Sequence, residues 1–165
     1  MGEIPQSGRG RPPAFVTAGM MALIGAGLFF VLLAGDLPSL KIGHWSELPW
    51  RLIIRYIVTM SLGGGIAGWL LSGLFGRRGI AGWVLAALGA VLATMVAGLI
   101  GSALGQLPDL LRDGWQAADM IPIVFGLVVL PLAFAGKPLL FLAWAVLVGL
   151  THVLASRARA ASGPR

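Results

Sequence analysis

Three acidic residues follow the third long apolar stretch of the sequence and are the first candidates for a binding site. Asp109 and Asp113 are four residues apart, which places both carboxylates on one face of a helix. Carboxylate oxygens are suitable ligands for a hard cation. Because acidic side chains in a polar loop are normally hydrated, we interpret Asp109, Asp113 and the nearby Asp119 as solvated groups and predict no metal site.

Two further residues, His152 and Lys137, have side chains that ligate or carry protons in other membrane proteins. A haem or metal ion at His152 would need further ligands, and the other histidine, His44, is predicted to lie on the opposite side of the membrane. Lys137 stands beside a proline at a predicted helix boundary, where its long side chain can reach the headgroups. The sequence therefore predicts no catalytic residue, no cofactor and no enzyme activity.

Arg51 and Arg55 form the most informative charged pair. They are four residues apart, so they lie on one face of a helix at its outer end. Basic residues at a helix end bind anionic lipid headgroups or an acidic partner. We predict Arg51 and Arg55 as a lipid or partner contact, with simple anchoring of the helix at the membrane interface as the alternative.

The composition requires a lipid environment. Of the 165 residues, 58% are hydrophobic and 11% are charged, whereas a soluble domain carries about 25% charged residues. A net charge of +6 would suit nucleic acid, but the charges form short clusters between apolar stretches, as membrane topology signals do. The composition therefore predicts the lipid bilayer as a partner and excludes nucleic acid.

Four apolar stretches are long enough to cross a hydrocarbon core of about 30 Å. A fifth, over residues 121–136, is shorter and contains two prolines, so we expect it to lie on the membrane or insert halfway. The predicted fold class is all-α: a polytopic membrane protein with four transmembrane helices and a short interfacial or re-entrant helix. The membrane domain covers residues 14–156 with spans at 14–35, 51–76, 80–105 and 138–156, and the tails 1–13 and 157–165 are predicted to be disordered.

The basic residues predict the orientation, because Lys and Arg are concentrated on the cytoplasmic side of membrane proteins. With four spans, five of the six acids fall on the opposite side. We predict a multi-pass protein of a bacterial inner membrane with both termini in the cytoplasm. Seven basic residues then share the cytoplasmic side: Arg9, Arg11, Arg77, Arg78, Arg157, Arg159 and Arg165.

Small residues recur at every fourth position of the second and third spans, which is the pattern of close helix contacts in membranes. We expect the third span to be the most buried and to pack on the second, with the stripes facing either the same chain or another subunit. The second span carries Gly64, Gly68, Ser72 and Gly76. The third carries Gly82, Ala86, Ala90, Thr94, Gly98 and Ser102 on one stripe and Gly89, Ala93, Ala97, Gly101 and Gly105 on the next.

Two family resemblances rest on this central region. Residues 61–105, with a Gly-Trp hairpin followed by a glycine-spaced span, resemble the small transglycosylase-associated stress-response membrane proteins. The four-span layout, the GW…GRRG turn and the arginine-ended last helix, over 51–159, resemble the tellurite-resistance-associated membrane proteins. The sequence lacks the strongly basic third loop expected in the latter family. Neither resemblance implies a catalytic residue.

These observations predict a small accessory or structural membrane subunit, which packs with other membrane subunits or with a second copy through its small-residue helix faces. The alternative is a small transporter, channel or stress-resistance membrane protein. That alternative requires a hydrated path, for which Ser61, Thr94 and Ser102 are the candidate lining residues.

Overall fold

The computed structural model describes residues 13–36 and 48–162, so residues 1–12 of the predicted tail 1–13, residues 37–47 with His44, and residues 163–165 lie outside it. These two ranges contain helices and no strand. The five α-helices are α1 (Pro13–Asp36), α2 (Trp50–Leu70), α3 (Gly79–Asp113), α4 (Met120–Gly136) and α5 (Pro138–Ala161), and short 3₁₀ helices cover Ser72–Leu74 and Ala117–Asp119.

Four of the helices, α1, α2, α3 and α5, are long and apolar enough to cross a membrane. The remaining helix, α4, has 17 residues and is apolar along its length. The chain is therefore an all-α, multi-pass membrane protein with one additional short apolar helix, as the sequence predicts.

The helices pack in a simple order, in which α1 contacts α2 and α5, and α3 contacts α2 and α4. The 3₁₀ helix after α2 also contacts α1, and Arg159 of α5 reaches the carbonyl of Phe75. The start of α1 and the end of α5 therefore lie at the same end of the bundle as the α2–α3 turn, residues 71–78. This end is termed the turn end, and the opposite end the loop end.

Helix α3 is the most buried span: 44% of its most apolar segment is inside the protein, against 22–33% for the other three. Every buried residue of α3 is Gly, Ala, Ser or Thr, whereas large apolar side chains such as Val84, Leu88 and Val91 are exposed. Small residues let the backbones of neighbouring helices approach closely where burial of apolar area gives no driving force. The buried set is Gly82, Ala86, Gly89, Ala90, Ala93, Thr94, Ala97, Gly98, Gly101, Ser102 and Gly105.

Three boundaries differ from the predicted ones. Helix α2 ends at Leu70 and is followed by the 3₁₀ helix, whereas the second span is predicted to end at residue 76. Helix α3 continues through Pro108 to Asp113, whereas the sequence predicts a loop from residue 106. The ion pair between Asp109 and Arg55 of α2 stabilises this extension of the helix. Helix α5 continues to Ala161, so the prediction of a disordered tail is wrong for residues 157–161. Arg159 hydrogen-bonds to the α2–α3 turn and holds this last turn against the bundle.

Candidate functional site

Glycines on α2 bring two different helices into backbone contact. Gly64 lies against the Met21 carbonyl of α1, and a methyl group added at Gly68 would come within 2.8 Å of the Thr17 carbonyl oxygen. On the neighbouring face, a methyl group at Gly63 would come within 2.5 Å of the Ala97 carbonyl oxygen of α3. The stripe through Gly64 and Gly68 therefore faces α1, and Gly63, which fourfold spacing did not select, contacts α3.

The other residues that the sequence predicts for helix packing also lie at contacts within the chain or are buried in it. A methyl group at Gly101 of α3 would come within 2.5 Å of the Met60 sulfur, and Gly98 lies against the backbone of Gly126 in α4. Gly82, Ala86 and Ala90 are buried. Ser72 lies in the 3₁₀ helix, where its carbonyl accepts a hydrogen bond from Arg159.

Polar groups join α5 to the turn end of the bundle. The Gly76 N–H donates to His152 Nδ1 at 3.1 Å, and the Arg159 guanidinium donates to the carbonyls of Phe75 and Ser72, both at 2.9 Å. The His152 ring also packs on Trp83 with a centroid distance of 4.5 Å. These contacts, termed the turn-end cluster, give His152 a structural partner that is 76 residues away in the sequence.

A second polar contact lies inside the bundle. The Trp144 indole N–H of α5 donates to the Thr94 hydroxyl of α3 at 3.1 Å, and both side chains are buried. An indole N–H that is buried needs an acceptor. Thr94, one of the small residues on the first α3 stripe, supplies it and so joins α3 to α5.

At the loop end the two arginines that the sequence pairs have different surroundings. Arg55 forms a two-point ion pair with Asp109, with nitrogen–oxygen distances of 2.7 and 3.4 Å, and its guanidinium carbon lies 5.6 Å from the centre of the Tyr56 ring. Arg51 is exposed. A lipid or partner contact through Arg51 and Arg55 stays a prediction, and Arg55 in addition joins α2 to α3.

The acidic residues of this end do not converge on one point. Asp109 faces Arg55, Asp113 lies 4.0 Å from Arg112, and Asp119 accepts the Gln116 N–H. Within residues 13–36 and 48–162, no three His, Asp or Glu side chains are grouped so that they could hold a metal ion.

An open cavity of about 520 Å³ lies between α1, α2, α3 and α4. Its lining is mostly apolar, and its polar side chains are Tyr56, Ser102 and Lys137. Small-molecule sites in proteins typically occupy about 300–1,000 Å³ and combine apolar walls with a few polar groups. The other lining residues include Phe29 and Leu32 of α1, Met60 of α2, and Phe125, Val129 and Ala133 of α4.

Helix α4 forms one wall of this cavity and reaches the middle of the bundle. Gly126 crosses α3 at Gly98, one turn before Gly101. Gly101 packs on Met60, which in turn packs on Gly25 at the midpoint of α1. Whether α4 is re-entrant or lies on the membrane surface stays a prediction. The apolar composition of residues 121–136 indicates the helix, but only the contact with α3 places it inside the bundle.

Comparisons with protein-family models, with curated proteins and with solved structures provide no relative from which a role can be transferred. No family model matches the sequence, and no curated protein matches it. No solved structure matches it.

Proposed function

We propose that the protein is a small, non-catalytic accessory or structural subunit of a membrane, which assembles with other membrane subunits or with a second copy. The observation that carries this proposal is the use of three polar side chains that are buried or partly buried in the bundle. Thr94, His152 and Arg159 all bond to groups on another part of the same bundle. These hydrogen bonds hold the helices together, which is what a scaffolding protein requires.

A test of this proposal begins with the tagged protein expressed from its own promoter and extracted in a mild detergent. We expect it to migrate in native gels as part of a larger complex of fixed stoichiometry. Tagging the partner should recover this chain in return, and deletion of the chain should lower the amount of the partner. An unrelated small membrane protein with the same tag is the control. Recovery of the isolated monomer only, with every membrane complex unchanged after deletion, would contradict the proposal.

The second candidate is a small transporter, channel or resistance protein, to which the resemblance to tellurite-resistance-associated proteins points. The cavity between α1, α2, α3 and α4 favours this candidate, because it has space for a ligand. Of the three side chains considered for a hydrated path, Thr94 contacts α5 and Ser102 lies against α4, so these two face different helices. Flux of a solute into vesicles that contain the purified protein, together with tellurite sensitivity of a deletion strain, would select this candidate.

The proposed location is a bacterial inner membrane with the turn end in the cytoplasm. Arg77 and Arg78 lie in the α2–α3 turn, and Arg157 and Arg159 lie at the same end on α5. Basic residues near the ends of spans are retained on the cytoplasmic side. Both termini are then cytoplasmic.

This orientation gives a testable prediction. A green fluorescent protein fused after Arg165 should fluoresce, and alkaline phosphatase fused at the same point should be inactive, because each reporter works on one side of the membrane only. Fusions placed after Gly114, in the loop between α3 and α4, should show the reverse. Active phosphatase after Arg165 would show that the proposed orientation is wrong.

A further inference from the structure

Three arginines at the turn end have no acidic group beside them. Arg77, Arg78 and Arg157 are all exposed. Within residues 13–36 and 48–162, every acidic side chain belongs to the loop end, on the far side of the bundle. These acids are Asp36, Asp109, Asp113 and Asp119. The guanidinium charges of the turn end are therefore not neutralised by the described part of the chain.

Two of these arginines begin at touching segments of backbone. A methyl group added at Gly76 would come within 2.8 Å of the Ser156 backbone nitrogen. Arg77 directly follows Gly76, and Arg157 directly follows Ser156. Two long cationic side chains therefore start beside the contact between the α2–α3 turn and α5. The Arg77 Nε donates to the Gly73 carbonyl at 3.0 Å, and its two terminal amino groups have no partner among the described residues.

Exposed tryptophans indicate the level of the turn end in the membrane. Trp69 lies one residue before the end of α2, and Trp83 lies four residues after the start of α3. Their exposed fractions are 57% and 51%. Tryptophan side chains at the surface of a membrane protein settle at the level of the headgroups. The turn between these two tryptophans, which carries Arg77 and Arg78, therefore lies where lipid phosphates lie.

We propose that Arg77 and Arg157 together bind the phosphate of one anionic phospholipid, across the contact between the α2–α3 turn and α5, with Arg78 as a further cation at its edge. A guanidinium group stays charged and forms paired N–H···O bonds with a phosphate. Basic residues near a membrane surface attract anionic lipids. A lipid phosphate is favoured over an acidic protein because it is already present at this level around the bundle. The site does not depend on the accessory role proposed above.

The test uses native mass spectrometry of the full chain, released from mixed micelles that contain equal amounts of phosphatidylglycerol and phosphatidylcholine. The two lipids carry the same acyl chains and differ in net charge. We expect the wild type to retain phosphatidylglycerol in preference to phosphatidylcholine, and to lose this preference as the salt concentration is raised, because salt screens exposed charges. Equal retention of the two lipids by the wild type at low salt would overturn the proposal.

Variants separate one shared phosphate from general attraction. Arg77→Gln and Arg157→Gln should each reduce the preference for phosphatidylglycerol about fivefold, the factor expected from one basic residue near a membrane surface. The double variant should lose the same single lipid and not two. Arg157→Lys keeps the charge and should retain the preference, and so should Arg112→Gln, which removes an exposed charge at the loop end. Loss of two lipids by the double variant would show that the two arginines do not share a phosphate.

The variants must also be shown to fold, by their helical content in circular dichroism. Arg157 makes no hydrogen bond or ion pair with the rest of the described chain, so Arg157→Gln removes only a charge. If Arg77→Gln loses helical content together with its bond to the Gly73 carbonyl, Arg157→Gln alone decides. An unchanged lipid preference in this folded variant would refute the site. If the variant in addition no longer co-purifies with a membrane protein, the arginine serves an acidic partner instead.

Discussion

The substitution Gly76→Ala should lower the free energy of unfolding by about 3 kcal/mol, the largest effect we expect from a single methyl group in this protein. Gly76 has a φ of +74°, a left-handed conformation that an L side chain adopts at a cost. The added methyl group would also come within 2.7 Å of the Ala155 carbonyl carbon of α5. The backbone of α5 has to move away, which breaks the hydrogen bond from Gly76 to His152.

Two glycines in or beside the α2–α3 turn separate the cost of the left-handed backbone from the cost of the contact with α5. Gly79 has a φ of +81° but no atom within 4 Å of an added methyl group, so Gly79→Ala carries the conformational cost alone, about 1–2 kcal/mol. Gly73 has neither a positive φ nor a neighbour, and its alanine variant should be close to the wild type. The measurement is reversible unfolding in mixed micelles with increasing SDS, followed by tryptophan fluorescence. Equal losses for the variants at 76 and 79 would show that the contact with α5 contributes nothing.

Two adjacent glycines of α2 should respond to alanine with opposite signs. Gly64→Ala places a methyl group against the Met21 carbonyl and within 3.2 Å of the Ala22 Cα of α1, so two backbones must separate. Overpacking of this kind typically costs about 1–3 kcal/mol. Gly65→Ala places its methyl group 3.6 Å from the Ala22 side chain, an ordinary contact. Because alanine is the better helix former, this variant should gain about 0.5–1 kcal/mol.

The same unfolding measurement compares the pair, since both substitutions add one methyl group to the same turn of the same helix. Gly27→Ala on α1, which is exposed and has no neighbouring atom within 4 Å, is the control for a glycine that faces lipid. If Gly64→Ala stabilises the protein as much as Gly65→Ala does, the close approach of α1 and α2 is not a determinant of stability.

Three features follow from the sequence alone: the number of spans, the composition of the buried surface and the approximate bounds of α4. Each of these is a local property. A stretch without charges must be solvated by lipid, and a helix whose small residues share one side must bury that side. The residues of the two small-residue stripes of the third span are accordingly the residues that α3 buries.

Which helix each of these faces contacts depends on the way the whole chain folds. Gly63 and Gly64 differ by one position and face α3 and α1, a choice made by the rotation of α2 about its axis. Similarly, Arg55 pairs with Asp109, 54 residues away, rather than acting with Arg51 on its own helix. His152 reaches Gly76 only because α5 returns to the α2–α3 turn. Spacing along one helix places residues on a face, but the partner of that face depends on how all the helices pack together.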